Sequence, residues 1–300
     1  MGSVNSFSRV KDLDCNKYVA SVPRFGNLFY RKNNVAYTHS GVFHGDDVSS
    51  AALLQITFPG IEIKRVAEVP EDAELAFDIG HGKYDHHQSN AELREDGSKY
   101  SSFGLLWRDI GPTILTPENV KLFDDVFARG IDYTDNTGAP NPFSTAIKAF
   151  NPSWDNTDEA DERFFEAVEW AKIAIINQFN RFDSAARADA YIEERMKEDD
   201  AYPTPRSLLL ETYMPYQKFV VNSDVCWVCY PSNRDTGSWN INTVPVDVGT
   251  RTAKKPFPDT WFKEEVPDGC SFINPGKYLA VFKSLDKAIK ALEMLEEYYE

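Results

Sequence analysis

All five histidines of this 300-residue chain, His39, His44, His81, His86 and His87, fall between positions 39 and 87, and none occurs elsewhere. The stretch opens on Thr38-His39-Ser40-Gly41-Val42-Phe43-His44-Gly45-Asp46-Asp47. It passes through Ala76-Phe77-Asp78-Ile79-Gly80 and closes on Lys83-Tyr84-Asp85-His86-His87-Gln88. Imidazoles and carboxylates this dense, at the ends of apolar runs, point to a site for divalent metal. A fold serving such a site must bring the ends of several runs together. Val35 to Thr38 reads as a buried strand ending at His39, and Gly41 and Gly45 suit the loop that follows. Asp46 or Asp47 caps a helix over Val48 to Ile56, stopped by Pro59-Gly60. Ile61 to Ala67 is the next strand and Glu74 to Ile79 another. This alternation predicts an α/β unit with a mainly parallel sheet, in which ligands bind beyond the carboxyl ends of the strands. His39 and Asp78 are placed there.

Downstream, Ser101 to Ile110 reads as a helix ended by Gly111-Pro112. A second runs from Pro117 to about Arg129, with Ile131 to Asn136 as its exit loop. Helices are expected over Glu159 to Phe182 and Ala185 to Glu198. The break at Tyr202-Pro203-Thr204-Pro205 sets a domain boundary, giving 1–202 and a smaller, strand-rich 203–300. Its expected strands are Ser207 to Glu211, Lys218 to Tyr230 and Trp239 to Val246, before a closing helix from Asp286 to Tyr299. Residues 1–30 are expected to be irregular surface.

A hydrophobic content of 42% excludes a largely disordered chain. No run approaches the ~20 apolar residues that cross a bilayer, and no leader is legible, so a soluble cytoplasmic protein without a membrane partner is expected. The net charge of −15 argues against a basic surface that coats double-stranded DNA. It leaves room for a local cationic cleft built by metal. Cys226 and Cys229 stand three apart in a strand-like segment, where their side chains would diverge, so they read as structural. Oligomeric state has no sequence signature here.

His39, His44 and Asp46 form a His-x4-His-x-Asp pattern on one tight loop. Asp78 arrives from a neighbouring strand, His86 follows, and Asp132 or Asp135 closes the shell from the far loop. One ion does not need so many ligands; two ions ~3.5–4 Å apart, sharing a bridging carboxylate, would use them all. Mixed oxygen and imidazole ligation suits Mn²⁺, with Mg²⁺ as the substitute. Three carboxylates against two dications leave a positive charge. With the helix N-terminus near Asp46, that favours phosphate and hence phosphoester hydrolysis. Asp47 reads as a helix cap, Asp85 as a partner that orients an imidazole, and His81 as a surface residue. Arg65 and Lys99 are candidate phosphate clamps, although lysines and arginines in such places are more often solvated.

Asp85-His86-His87 resembles the triplet for which the DHH phosphoesterase superfamily is named. Thr38-His39-Ser40-Gly41, Phe43-His44-x-Asp46, Tyr84-Asp85-His86-His87-Gln88, Lys99-x-Ser101-Ser102-x-Gly104-Leu105 and Ile131-Asp132-x-x-Asp135-Asn136 resemble the melanocyte-proliferating-gene (Myg) family within it. So do Phe150-Asn151-Pro152-x-Trp154, Trp239…Val244-Pro245 and Lys255-Pro256-x-Pro258-x-x-Trp261, and the likeness covers roughly residues 34 to 295 in order. It implies an α/β DHH-type domain, a smaller α/β (DHHA1-like) substrate-binding C-terminal domain, and a Mn²⁺-dependent exonuclease activity on RNA or short oligonucleotides. It further implies that His39, His44 and Asp46 divide between two ions, that Asp78 bridges them, and that His86 and Asp132 complete the shells. His87, with Asp85 beside it, would meet the scissile phosphate or its water. Ser101, Ser102 and Asn274 lie in the family's motifs and join Arg65 and Lys99 as candidate substrate contacts.

The chain departs from the family near its C-terminus. There the family's histidine has become Asn274 and its glycine pair Ala280-Val281. Side chains at Ala280 and Val281 would obstruct a long strand, unless the segment is simply a core strand. The competing functions are a phosphatase or pyrophosphatase for a small phosphorylated metabolite, and a non-catalytic module that keeps a metal-built phosphate pocket.

Overall fold

The structure, a computed structural model, describes residues 34–300; the irregular segment expected over residues 1–30 lies outside the described residues. The described chain is mixed α/β. Strand β1 (Val35–His39) runs parallel to β2 (Glu62–Val66), with His39 opposite Val66. Between them, helix α1 (Gly45–Thr57) is buried along almost its whole length. Val48, Ala51, Ala52, Leu53, Leu54 and Ile56 put apolar side chains around the helix, as an interior helix requires. The strand expected over Glu74 to Ile79 shrinks to a short pairing with β1. Tyr37 N–H donates to the Leu75 carbonyl (3.0 Å) and Phe77 N–H to that of Tyr37 (2.9 Å). The pairing stops at Asp78, whose φ of +59° is left-handed and cannot continue a strand.

Helix α2 (Ser102–Ile114) packs against α1. It runs through Gly111-Pro112, where the sequence reading ended it. Proline there removes one hydrogen bond near the helix end and leaves the remaining turns intact. Helix α3 (Pro117–Phe123), a π-helical turn (Asp124–Ala128) and helix α4 (Arg129–Thr137) follow without a break. Ile131 to Asn136, expected as a loop, is therefore helical. Helix α5 (Pro142–Lys148) closes this group. An aromatic core of Phe103, Trp107, Phe123 and Phe179, with ring centroids 4.3–6.4 Å apart, holds the helices together.

One helix, α6 (Ala160–Arg195), replaces the two expected. Phe179, Phe182, Ala188 and Ile192 are all buried, so its apolar face continues past Asp183-Ser184. The chain divides into two compact units inside this helix, one ending at Asn180 and the other spanning Arg181–Glu300, so the expected break at Pro203 lies within the second unit.

That unit is built on a five-stranded sheet of order β3-β4-β5-β7-β6. Its strands are β3 (Ser207–Leu209), β4 (Trp227–Pro231), β5 (Trp239–Thr243), β6 (Cys270–Ile273) and β7 (Leu279–Phe282). The β3–β4 pair is parallel and the others antiparallel. Residues alternate between faces: Trp227 and Cys229 join Ala280, Phe282 and the buried Ala288, Ala291, Leu292 and Leu295 of helix α8 (Leu285–Tyr299), while Val228 and Tyr230 join Leu208, Leu210 and Val244. Lys218 was expected in strand but lies in a short helix, α7 (Gln217–Val220). The chain bends after it because Lys254 Nζ donates to the carbonyls of Val220, Ser223 and Val225 at 2.7, 2.6 and 3.1 Å. Cys226 precedes the strand and packs in the same core as Cys229 rather than opposite it. Burial pushes the Cys229 thiol up to about 12. Among the described residues, no helix is long and apolar enough to cross a membrane.

Candidate metal centre

The centre is assembled from the end of β1, the first turn of α1, the left-handed residue Asp78, the His86-His87 pair and α4. His39 ends β1, and Ser40 N–H donates to the Val66 carbonyl of β2 (2.9 Å), fixing where the loop begins. His44, rather than Asp46 or Asp47, is the N-cap of α1; Asp47 is the third residue of the helix and closes the capping box, its Oδ1 accepting from the N–H groups of His44 and Val48 at 2.8 Å. Its Oδ2 turns the other way and lies 3.3 Å from His39 Nε2. Asp78 sits between two imidazoles, with Oδ2 3.2 Å from His39 Nε2 and Oδ1 3.1 Å from His86 Nε2. Asp46 Oδ2 accepts from the Ser102 hydroxyl (2.8 Å), and Asp135 Oδ2 approaches His86 Nε2 to 3.1 Å.

Three groups of ligand atoms result, each within 4.8 Å: His39, Asp47 and Asp78; Asp78, His86 and His87; His44, Asp46 and Asp135. Asp78 belongs to two of them. Asp46 Oδ1, Asp47 Oδ2, Asp78 Oδ1 and His86 Nε2 are buried without a hydrogen-bond partner among the described residues. Leaving a buried polar atom unsatisfied costs ~1–3 kcal/mol. Four such atoms, drawn from residues of the three groups, fit bound cations, and the donor set suits divalent ions that accept oxygen and imidazole.

The electrostatics agree. Burial, reinforced by Asp78 and Asp135, pushes the Asp46 carboxyl well up, and burial also raises Asp47. Burial works to raise Asp78 too, but the His39 and His86 imidazoles, whose Nε2 atoms lie 3.2 and 3.1 Å from its oxygens, outweigh it and hold its carboxyl at about 2. His39 is driven up to about 10 by the Asp47 and Asp78 carboxylates beside its Nε2. Burial opposes protonation of His86, yet Asp78 raises it. Protonated imidazoles thus stand where cations would. Since Asp46, Asp47, Asp78 and Asp135 all reach the groups, the carboxylates number four. They would balance two dications, and the surplus positive charge expected from three carboxylates disappears.

The structure brings His39, His44, Asp46, Asp78, His86 and His87 together, places Asp135 of the pair Asp132 or Asp135 among them, and adds Asp47. It does not bring Asp132. That carboxylate is buried in an ion pair with Arg94 (2.5 Å) and accepts from Ser101 Oγ (2.7 Å) and Gly104 N–H (3.1 Å). Ser101 and Ser102 are fully buried supports of Asp132 and Asp46, not surfaces for substrate. Arg65 is no free clamp either. Its guanidinium stacks on Phe164, 4.6 Å from the ring centroid, and donates to Asp161 (2.7 Å) and to the Gly41 carbonyl (2.6 Å), bracing the His39–His44 loop.

Lys99 is exposed and lines a separate cavity of about 710 Å³ with Arg129 and Tyr133. Asn274 organises the β6–β7 turn, accepting from Gly276 N–H (2.7 Å) and donating to Tyr278 Oη (3.1 Å). His81 is exposed, as expected. Asp85 accepts from the N–H groups of His81 (2.7 Å) and His87 (3.0 Å) and lies 2.8 Å from His87 Nδ1.

Two supports stand in the family's motifs, where the sequence reading gave them no role. Asn151 accepts from Phe43 N–H (3.0 Å) and donates to the Phe43 carbonyl (2.9 Å), holding the same loop from 108 residues away. Asn136 donates to the carbonyls of Tyr100 (3.1 Å) and Asp132 (2.9 Å), tying α4 to the residue before the cap of α2.

Comparison with known proteins follows the same lines. A family model, MYG1_exonuc (uncharacterised protein family UPF0160), matches residues 35–294. The MYG1 protein of Chlamydia pneumoniae is 23% identical over 290 residues, covering 86% of this chain and 94% of that protein. The MYG1 protein C694.04c of Schizosaccharomyces pombe is 20% identical, covering 84% and 94%. The MYG1 exonuclease of Homo sapiens is 23% identical, covering 84% and 83%. Among solved structures, RecJ from Thermus thermophilus in complex with Mg²⁺ is similar at 13% identity and a TM-score of 0.26, a likeness too low to carry weight; it covers 88% of this chain, which spans 49% of that protein. A family model matched from β1 to α8, and relatives aligned over more than four-fifths of the sequence, show that this chain belongs to the MYG1 family.

Proposed function

We propose that the chain is a metal-dependent phosphodiesterase of exonuclease type. It would act with two Mn²⁺ ions, Mg²⁺ substituting, on RNA or short oligonucleotides. One observation carries the reading: four buried, unpartnered ligand atoms converge around Asp78, which alone belongs to two ligand groups. The name of the human relative, an exonuclease, supports the choice of substrate class. His39, Asp47 and Asp78 would hold one ion; Asp78, His86, Asp46, Asp135 and His44 would hold the other. Bound there, such ions supply a water deprotonated near neutral pH and positive charge against the phosphoryl oxygens.

The remaining work falls to His87. Burial opposes ionisation of Asp85, but hydrogen bonds from the His87 and His81 N–H groups outweigh it and hold the carboxyl below its usual range. Ionised Asp85 can only accept, so His87 Nδ1 carries the proton and Nε2 is left for the substrate. The His87 side chain is 56% exposed, so the imidazole can reach a phosphate at the mouth of the cluster. Asp85 is then a positioning residue. Ligation of an ion through Nδ1 would break its bond to Asp85, which favours substrate over metal as the partner of His87.

The test is turnover of 5′-labelled RNA, a dinucleotide and pyrophosphate, side by side with and without Mn²⁺. Cleavage of RNA and dinucleotide only with metal is expected. Faster turnover of pyrophosphate would move the chain to small-phosphate chemistry, and no bound divalent ion at millimolar Mn²⁺ would end the reading.

A further inference from the structure

A cavity of about 480 Å³ opens on the metal centre, because His44 and Asp135 are both ligand candidates and part of its lining. Thr134, Ser144, Thr145 and Lys148 also line it. Nothing in the sequence reading singled out Ser144 or Lys148. Ser144 is 8% exposed, and its Oγ has no hydrogen-bond partner among the described residues. That hydroxyl packs against the first residue of α1, since a Cβ built on Gly45 would fall 2.5 Å from it. The first N–H groups of a helix lack partners within the helix and favour anions. Lys148, in the last turn of α5, is the only lysine or arginine in the lining and has no carboxylate partner among the described residues.

We propose that this cavity is a subsite for one sugar–phosphate unit of the substrate. Its phosphate would lie between the Lys148 ammonium and the Ser144 hydroxyl; the inference rests on the phosphodiesterase reading. The volume lies in the range of small-ligand pockets and exceeds what a bare phosphate fills. Four carboxylates neutralise the metal charge, so Lys148 supplies the positive charge that draws the anion in. No aromatic ring other than the His44 imidazole lines the cavity, so nothing there stacks a base. The subsite therefore recognises the backbone of the substrate and not its sequence.

The test uses the Mg²⁺-loaded full chain and calorimetry with ribose 5-phosphate, adenosine monophosphate and uridine monophosphate. The three ligands should bind within about threefold of one another. A hydrogen bond to a charged group is worth ~1.5–3 kcal/mol, so Lys148→Ala should weaken all three by roughly 10- to 150-fold. Ser144→Ala should weaken them by about 3- to 10-fold, and Lys148→Arg should recover most of the loss. Mg²⁺ occupancy should stay that of the wild type, and KM for a dinucleotide should rise with the Lys148→Ala loss.

Four results would overturn the subsite: no ribose 5-phosphate binding by the wild type, unchanged affinity in Lys148→Ala, loss of Mg²⁺ alongside affinity, or a preference of more than about tenfold for one base. Lys148-dependent binding in a chain that cleaves no nucleic acid would sink the catalytic reading and leave the subsite standing. Cleavage that is indifferent to Lys148 would do the reverse.

Discussion

Asp132→Asn and Asp135→Asn separate two roles that three residues of sequence cannot. Asp132 is 1% exposed and accepts from Arg94 Nε and Nη2, Ser101 Oγ and Gly104 N–H. An asparagine there turns an NH₂ toward either Arg94 or the Gly104 N–H, which can only donate, and leaves a buried guanidinium short of a counter-charge. Removing one partner of a buried ion pair costs ~3–5 kcal/mol. For a domain of this size that is a fall in melting temperature of roughly 6–20 °C. Asp135 instead raises the Asp46 carboxyl by repulsion. Asp135→Asn relieves that repulsion, so the metal-free chain should be at least as stable as the wild type. Its Mn²⁺ affinity should fall by more than the ~10–100-fold typical of losing an outer partner of a ligand. Differential scanning calorimetry of the metal-free proteins, with Mn²⁺ titrations of each, reads both effects. An Asp132→Asn variant that keeps its melting temperature and loses Mn²⁺ would refute the assignment of Asp132 to Arg94.

Metal binding must strip the proton from His39, held at about 10, and from His86, also raised. Between pH 7 and 8, calorimetry in buffers of different ionisation enthalpy should find at least about one proton released per chain, with affinity rising roughly tenfold per pH unit for each; affinity indifferent to pH would remove His39 from the ligands. In the metal-free chain, the His39 contribution to stability is fully present below 6.5 and lost as pH rises through about 10, so the metal-free and loaded proteins should diverge in melting temperature across that window. Gly104→Ala drives a Cβ into the Asp132 carboxylate, so it should lower the urea midpoint; an unchanged midpoint would mean that α2 can move away. Ala280 is fully buried in β7, so Ala280→Gly with Val281→Gly should cost at least ~1–2 kcal/mol and reduce activity equally on every substrate length. A better KM on long RNA at unchanged melting temperature would instead show that these side chains obstruct the substrate.

The parts of the centre legible in the sequence were those set by short stretches of chain. His39, His44, Asp46 and Asp47 share one strand–loop–helix turn, and Asp78, His86 and His87 lie within ten residues of each other, so density and spacing alone gathered them. What was not legible depends on helix phase and on partners far away in the chain. Asp132 and Asp135 were read on a loop, where either might turn inward. On helix α4, residues three apart share a side and sit about 4.5 Å apart along the axis. That displacement sets Asp132 against the start of α2 and Asp135 against His86. The choice between them is made by Arg94, 38 residues before Asp132, and no local pattern announces that pairing. The same cause explains Ser101 and Ser102. Hydroxyls beside a lysine resemble substrate contacts when only neighbours in sequence are considered. In the fold they are the cap and first residue of α2, and each holds a different carboxylate. Ser102 turns Asp46 toward the metal groups, Ser101 turns Asp132 toward Arg94, and Gly104 leaves room for the second carboxylate to approach. The motif therefore belongs to the frame of the candidate centre: it sorts two buried acids, one turned toward the ligand groups and one already neutralised.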